Sequence, residues 1–92
     1  MDIFEEAAEK IIKGQETIIG PIALEQARKV AGLKIDRVNH EVKLEGNKTE
    51  ILGNLVGQYE RLFGKTSVEV CREAVRTLMS KFPQNQIPSL LQ

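Results

Sequence analysis

A Gly-Pro pair at positions 20 and 21 interrupts an amphipathic helical pattern that otherwise runs from Ile3 to about Val30. Proline has no N–H to donate and its ring clashes with the preceding turn, which costs about 3 kcal/mol inside a helix but little at the first helical position. The pair allows either a new helix that begins at Pro21 or one long, kinked helix. We favour the new helix, with a change of chain direction.

The segments on both sides of this pair carry apolar residues at steps of three and four, as amphipathic helices do. The first helix is predicted to begin near Asp2, because acidic residues in its first turn suit the helix dipole. The second is predicted to stop at Gly32, since glycine adopts the left-handed conformation that ends many helices. The apolar positions include Ile3, Phe4, Ala7, Ala8, Ile11, Ile12, Ile18, Ile19, Ile22, Ala23, Leu24, Ala27 and Val30.

From Leu33 onward the apolar spacing changes to two, the period of a half-buried strand. Leu33 and Ile35 form the first alternating segment, Val42 and Leu44 form the second, and Arg37 to His40 has the length of a hairpin loop. We therefore expect a short β-hairpin. Because a two-stranded hairpin is marginal alone in water, its apolar face must lie on the helices or its strands must pair with another copy.

Two further helices are predicted in the C-terminal half. One opens at Asn47 with a glutamate three residues later, which is a capping-box spacing, and ends at Gly64. The other opens with a second capping-box pattern at Thr66 to Glu69 and continues until Pro83 stops it. Both carry broad apolar stripes.

The predicted order of helix, helix, hairpin, helix, helix indicates an α+β fold. We expect a single compact domain over residues 1–83 and a C-terminal tail over residues 84–92, in which Ile87, Leu90 and Leu91 are available to dock. Neither an internal repeat nor a long linker divides the chain.

The charge balance disfavours a general nucleic-acid binder, since 13 basic and 13 acidic residues leave no net field to attract phosphate. The apolar runs are too short for a membrane span, which needs about 20 residues. Acidic residues stand where a signal peptide would be basic. The single cysteine, Cys71, forbids an intramolecular disulfide. A cytoplasmic protein is the expectation.

The sequence contains no pattern that predicts catalysis, a metal or a cofactor. Cys71 falls on an apolar helical stripe, where free cysteine behaves as a small hydrophobe. His40 lies in the predicted hairpin loop without metal-ligand spacing around it. The carboxylates fall on polar helix faces or in first turns, and no glycine-rich turn follows a strand. We therefore expect a protein that is not an enzyme.

Two glycines and a basic cluster remain as candidate binding features. Gly53 and Gly57 cost about 1 kcal/mol each inside a helix, and their spacing puts both on one face, where another helix or a partner backbone is able to approach closely. A merely tolerated pair on a solvent face is the alternative. The basic cluster lacks aromatic neighbours, and a solvated face explains it equally; it consists of Arg28, Lys29, Lys34 and Arg37.

The stretch Ile19-Gly20-Pro21-Ile22-Ala23, with Ala27 at a helical step, resembles the "IGPIA" stretch of small helical modules attached to bacterial signalling proteins, including some serine/threonine kinases. The resemblance implies a non-catalytic regulatory or association domain.

Three hypotheses follow for the function. The first is a protein-interaction or regulatory module that binds a protein partner or forms a homo-oligomer, a dimer above all, through the first helix or the hairpin edge. Its candidate residues are Ile18, Ile19, Gly20, Pro21, Gly53 and Gly57. The second is RNA binding through the basic hairpin face. The third is a small-molecule carrier with a pocket between the helices, lined by Ile12, Leu55 and Tyr59.

Overall fold

A computed structural model describes residues 2–36, 38–39 and 41–92. It confirms the α+β class, with two N-terminal helices, a two-stranded antiparallel sheet and two C-terminal helices. The elements are α1 (Ile3–Ile19), α2 (Ile22–Ala27), β1 (Leu33–Ile35), β2 (Val42–Leu44), α3 (Lys48–Phe63) and α4 (Lys65–Val75), followed by 3-10 helices at Arg76–Lys81, Gln84–Gln86 and Ser89–Leu91.

The break at the Gly-Pro pair separates α1 from α2. Asp2 caps the start of α1, where its carboxylate accepts the backbone N–H of Phe4 at 2.7 Å. Gly20 ends α1 at φ 74°, a conformation that favours glycine, and α2 follows directly after Pro21. The second helix ends at Ala27, earlier than the predicted stop at Gly32, because the next backbone bonds change to the tighter three-residue spacing.

The hairpin pairs within one chain and lies on the helices. Leu33 faces Leu44 and Ile35 faces Val42 across the two strands. The side chains of Leu33, Val42 and Leu44 are buried. Asp36 turns the chain after β1, where its carboxylate accepts the backbone N–H groups of two loop residues. Arg37 and His40 lie outside the described residues, so the predicted loop is described only in part.

The two C-terminal helices differ in how they begin. Asn47 caps α3, as predicted, by accepting the backbone N–H of Glu50 at 3.0 Å. The predicted capping box at Thr66 is wrong, because α4 begins at Lys65 directly after Gly64, which has a φ of 83°, and no side chain caps it. The fourth helix also ends at Val75, where the chain tightens into a 3-10 helix instead of continuing to Pro83.

The core lies between α1, α3 and α4, with α2 and the hairpin closing one side. Phe4 and Phe82 meet edge to face, with their ring centroids 5.0 Å apart, and so join the start of α1 to the end of the first 3-10 helix. The largest fully buried side chains are Tyr59, Ile11, Leu52, Leu55, Gln15, Val56, Val75 and Cys71.

The tail predicted over residues 84–92 packs on the domain. Leu91 is buried, and Ile87 and Leu90 are partly buried against the core. Two hydrogen bonds hold the tail to the helices: the Thr49 hydroxyl donates to the Gln86 carbonyl at 2.8 Å, and Arg72 Nε donates to the Leu90 carbonyl at 3.1 Å.

Candidate functional site

Hydrogen bonds between the helices place four helix termini at one end of the molecule. The Tyr59 hydroxyl donates to the Ala23 carbonyl at 2.6 Å, which joins the C-terminal part of α3 to the start of α2. Gln15 Nε2 donates to the Ser67 carbonyl at 3.0 Å, which joins the C-terminal part of α1 to the start of α4. α1 leads directly into α2, and α3 leads directly into α4. The C-termini of α1 and α3 and the N-termini of α2 and α4 therefore lie together.

This end exposes large apolar side chains. Ile18 is 63% exposed, Leu62 48%, Ile22 38% and Phe63 37%. Among the described residues the remaining exposed large hydrophobic side chain, Val38, lies in the hairpin loop. We call the four residues of the helix termini the apolar end.

All four residues of the apolar end continue the apolar spacing of their helices, and their exposure shows that these stripes are not covered at the helix termini. Each lies in the first or last turn of its helix, where the neighbouring helix also ends and offers no further surface to pack against. Ile19 is half-buried against the core. Gly20 and Pro21 form the connection beside it, and a Cβ added at Gly20 would meet no other atom within 4 Å outside its chain neighbours.

A shallow groove between α1 and α4 continues the apolar end along the seam of these two helices. Gly14 lies where the two helices touch, since a Cβ at this position would lie 3.4 Å from the Cβ of Ala74 and 3.6 Å from Cγ1 of Val70. Ile18 and Thr66 line the groove where it meets the apolar end. The accessible apolar surface therefore extends beyond the helix termini.

The outer edge of β2 is occupied by carboxylates of α1. The backbone N–H of Val42 donates to Glu9 Oε1 at 3.2 Å, and that of Leu44 donates to Glu5 Oε2 at 3.0 Å. Both N–H groups point away from β1, because the two residues form non-hydrogen-bonded pairs with it. Glu5 and Glu9, one helical turn apart, thus satisfy the donors that another strand would need.

Gly53 and Gly57 face the chain's own tail. A Cβ at Gly53 would lie 3.5 Å from the Cβ of Pro88, and one at Gly57 would lie 3.9 Å from Cδ1 of Leu90. The tail of the same chain therefore packs on this face of α3, at distances that would also admit alanine.

The structure describes three residues of the predicted basic cluster, and Arg37 lies outside it. Arg28 and Lys29 are exposed in the turn after α2, and Lys34 is exposed on β1. Lys34 lies directly opposite Lys43 of β2, a basic residue outside the predicted cluster. Like charges in such a pair repel one another, so this pair does not stabilise the hairpin.

Cys71 is buried, as its position on an apolar stripe predicted, and it also accepts a hydrogen bond. Gln15 Nε2 lies 3.3 Å from its sulfur and donates to it. Burial raises the pKa of the Cys71 thiol to about 11, although this hydrogen bond acts in the opposite direction. The thiol therefore stays protonated at neutral pH and is a poor nucleophile. The one signal in the sequence for a buried Gln15 is its position one turn after Ile11.

The residues predicted to line a ligand pocket belong to the core. Leu55 and Tyr59 are fully buried, and Ile12 is 4% exposed. Burial also raises the pKa of the Tyr59 hydroxyl, which is held by its hydrogen bond to the Ala23 carbonyl. Ile12 nevertheless borders a different cleft, which opens between α1, α2 and the hairpin.

Within residues 2–36, 38–39 and 41–92, no group of three His, Cys, Asp or Glu side chains is arranged to hold a metal ion. In the same part of the chain, none of the helices has the length and apolar character needed to cross a membrane. Comparison with protein-family models, with curated proteins and with solved structures finds no match to this chain.

Proposed function

We propose that this protein is a small, non-catalytic interaction module that associates with a second copy of itself through the apolar end. The observation that carries the proposal is the grouping of Ile18, Ile22, Leu62 and Phe63 at one end of the fold. Exposed apolar side chains grouped in one region mark interaction sites, whereas scattered single residues do not.

A second copy suits this surface for two reasons. The net charge of zero means that two copies approach one another without overall repulsion. Two helices end and two begin at the apolar end, so it carries partial charges of both signs, which a two-fold related copy complements. The resemblance around Ile19-Gly20-Pro21 to association modules of signalling proteins supports the same proposal.

The alternative route of association, through the hairpin edge, has less support. Glu5 and Glu9 already satisfy the outward N–H groups of β2. The basic hairpin face likewise supports RNA binding less well, because Lys34 and Lys43 have no aromatic side chain beside them in the sheet on which a base would stack.

The test is the solution mass by light scattering over a concentration series, for the wild type and for Ile18→Glu and Leu62→Glu. Burying one such side chain contributes about 1.5–3 kcal/mol. We therefore expect a wild-type dimer, and a dissociation constant that rises about tenfold or more in each variant. Far-ultraviolet circular dichroism checks that the folded state is retained, which is expected because both side chains are already exposed.

Val38→Glu is the matched control, because Val38 is an exposed large hydrophobic residue outside the apolar end. It should dimerise like the wild type. A wild-type protein that stays monomeric at every concentration tested would overturn the proposal, as would a dimer that dissociates equally in all three variants.

A further inference from the structure

The cleft between α1, α2 and the hairpin has a volume of about 330 Å³. Each of the four surrounding elements contributes one apolar side chain to it, namely Ile12, Leu24, Ile35 and Val42. Leu24 and Ile35 are only partly buried and so present apolar surface to the cleft. The volume lies at the lower end of the range of small-molecule pockets, about 300–1,000 Å³.

Charged side chains surround this apolar floor, and most of them are acidic. Glu9, Lys13 and Glu16 lie on one face of α1, at helical steps of four and three, and Glu41 precedes β2 on the opposite side. Three carboxylates and one ammonium group give the lining a net negative charge.

These charges are available to a ligand. In the part of the chain that the structure describes, the ion pairs join Lys48 to Asp2, Arg72 to Glu69 and Arg76 to Glu73, and none involves a residue of the cleft. Glu9 uses one carboxylate oxygen to accept the Val42 N–H. The side chains of Glu16 and Glu41 take part in no hydrogen bond within the described residues.

We propose that this cleft binds a small organic cation with an apolar body, of the class of primary alkylammonium ions. The alkyl chain covers Leu24 and Ile35, and the ammonium group lies between the carboxylates of Glu16 and Glu41. A carboxylate ligand of the same length meets an unfavourable potential, and a neutral alcohol gains only the apolar contact. The site is separate from the apolar end and does not depend on association.

The first experiment titrates n-hexylammonium into isotope-labelled protein at neutral pH and low salt, followed by amide chemical shifts. Shifts should concentrate on the cleft, with Leu24, Ile35 and Val42 as reporters. Hexanol should bind more weakly, and hexanoate should bind weakest. Absence of shifts, shifts centred elsewhere or equal binding of hexanol and hexylammonium would overturn the proposal.

Charge variants then test the assignment of residues. Glu16→Gln and Glu41→Gln should each raise the dissociation constant of hexylammonium about two- to fivefold, the effect of an exposed charge pair. Lys13→Gln should lower this dissociation constant, because it removes the positive charge that repels the ligand. Glu25→Gln, an exposed position on α2 outside the cleft, is the matched control and should leave it unchanged. An equal effect of the control would contradict the site.

The titration is repeated with Ile18→Glu, so that failure of the cleft and failure of the association proposal give different results. Shifts at the cleft in a monomeric variant support the ligand site alone. If this variant loses both the chemical-shift changes and dimerisation, the cleft does not bind the cation by itself. That result would overturn the proposal that the cleft is independent of the apolar end.

Discussion

Asp2 shows how one residue fixes the start of the fold. Its carboxylate caps α1 by accepting the backbone N–H of Phe4, and it forms an ion pair with Lys48 at the start of α3. Burial acts to raise the pKa of the Asp2 carboxyl, but the hydrogen bonds from Lys48 and from the backbone outweigh it, so that this pKa lies below its ordinary value. The contribution to stability is therefore present above the pKa of the unfolded chain and is lost as the pH falls through the folded pKa.

We expect Asp2→Ala to lower the free energy of unfolding by about 0.5–2 kcal/mol at neutral pH, because α1 loses its cap. Asp2→Asn keeps a capping oxygen and should cost less. Denaturant unfolding at a series of pH values measures both effects. The difference between the wild type and Asp2→Asn should shrink as the pH falls below the ordinary carboxyl value of 3.8, and an undiminished difference at about pH 2 would contradict the assignment.

At the scale of elements, the glycines of α3 differ from Gly32 in whether the backbone and its surroundings could accept a side chain. Gly53 and Gly57 have helical backbone, and a Cβ added at either would make only ordinary contacts, at 3.5 and 3.9 Å. Gly32 has a φ of +85°, and a Cβ there would lie 2.7 Å from the Glu45 carbonyl oxygen. The chain therefore needs glycine at the approach to the hairpin but not within α3.

Gly53→Ala and Gly57→Ala should each stabilise the protein by up to about 1 kcal/mol, because alanine loses less backbone entropy in a helix. Gly32→Ala should destabilise it, since the added methyl group meets backbone in a left-handed conformation. Thermal unfolding of the three variants measures the contrast. If the α3 variants are destabilised instead, the tail lies closer to α3 than these contacts indicate.

The sequence predicts the elements of this fold better than their ends. The period of apolar residues identifies all four helices and both strands, and Asn47 marks the start of α3, because these signals are local. The end of α4 depends on how the chain turns after Val75 to bring Phe82 onto Phe4, which no local pattern contains. The exposure of Ile18 likewise depends on where neighbouring helices stop.

The cleft and the apolar end are harder to predict from sequence than the elements, since each is assembled from separate segments. Glu9, Lys13 and Glu16 form a recognisable charged face on α1, which is the only local signal for the cleft. Glu41 joins them through the hairpin and Leu24 through the turn at Gly20-Pro21. Their meeting is a property of the tertiary fold.

At the scale of the whole molecule, the C-terminal residues pack as part of the domain. Leu91 is buried, and Arg72 of α4 donates to the Leu90 carbonyl. The tail therefore closes the surface formed by α3 and α4, and its removal would expose apolar area on both helices.

We expect Leu91→Ala to lower the free energy of unfolding by about 2 kcal/mol, at the low end for buried leucine because a chain end is able to relax into the space. Denaturant unfolding should remain a single transition. Ser89→Ala, at an exposed position of the same 3-10 helix, is the control and should have little effect. An equally small effect of Leu91→Ala would mean that the domain ends before the tail, near residue 83.

The carboxylates of Glu5 and Glu9 on the edge of β2 also affect how this protein would aggregate at high concentration or under partial unfolding. An edge strand with unpaired backbone N–H groups can pair with strands of other chains and so start a fibril. Here the side chains of α1 accept the outward N–H groups of β2. As long as α1 remains docked, growth of the sheet from β2 is blocked. Detachment of the first helix would therefore free this edge for pairing with another chain.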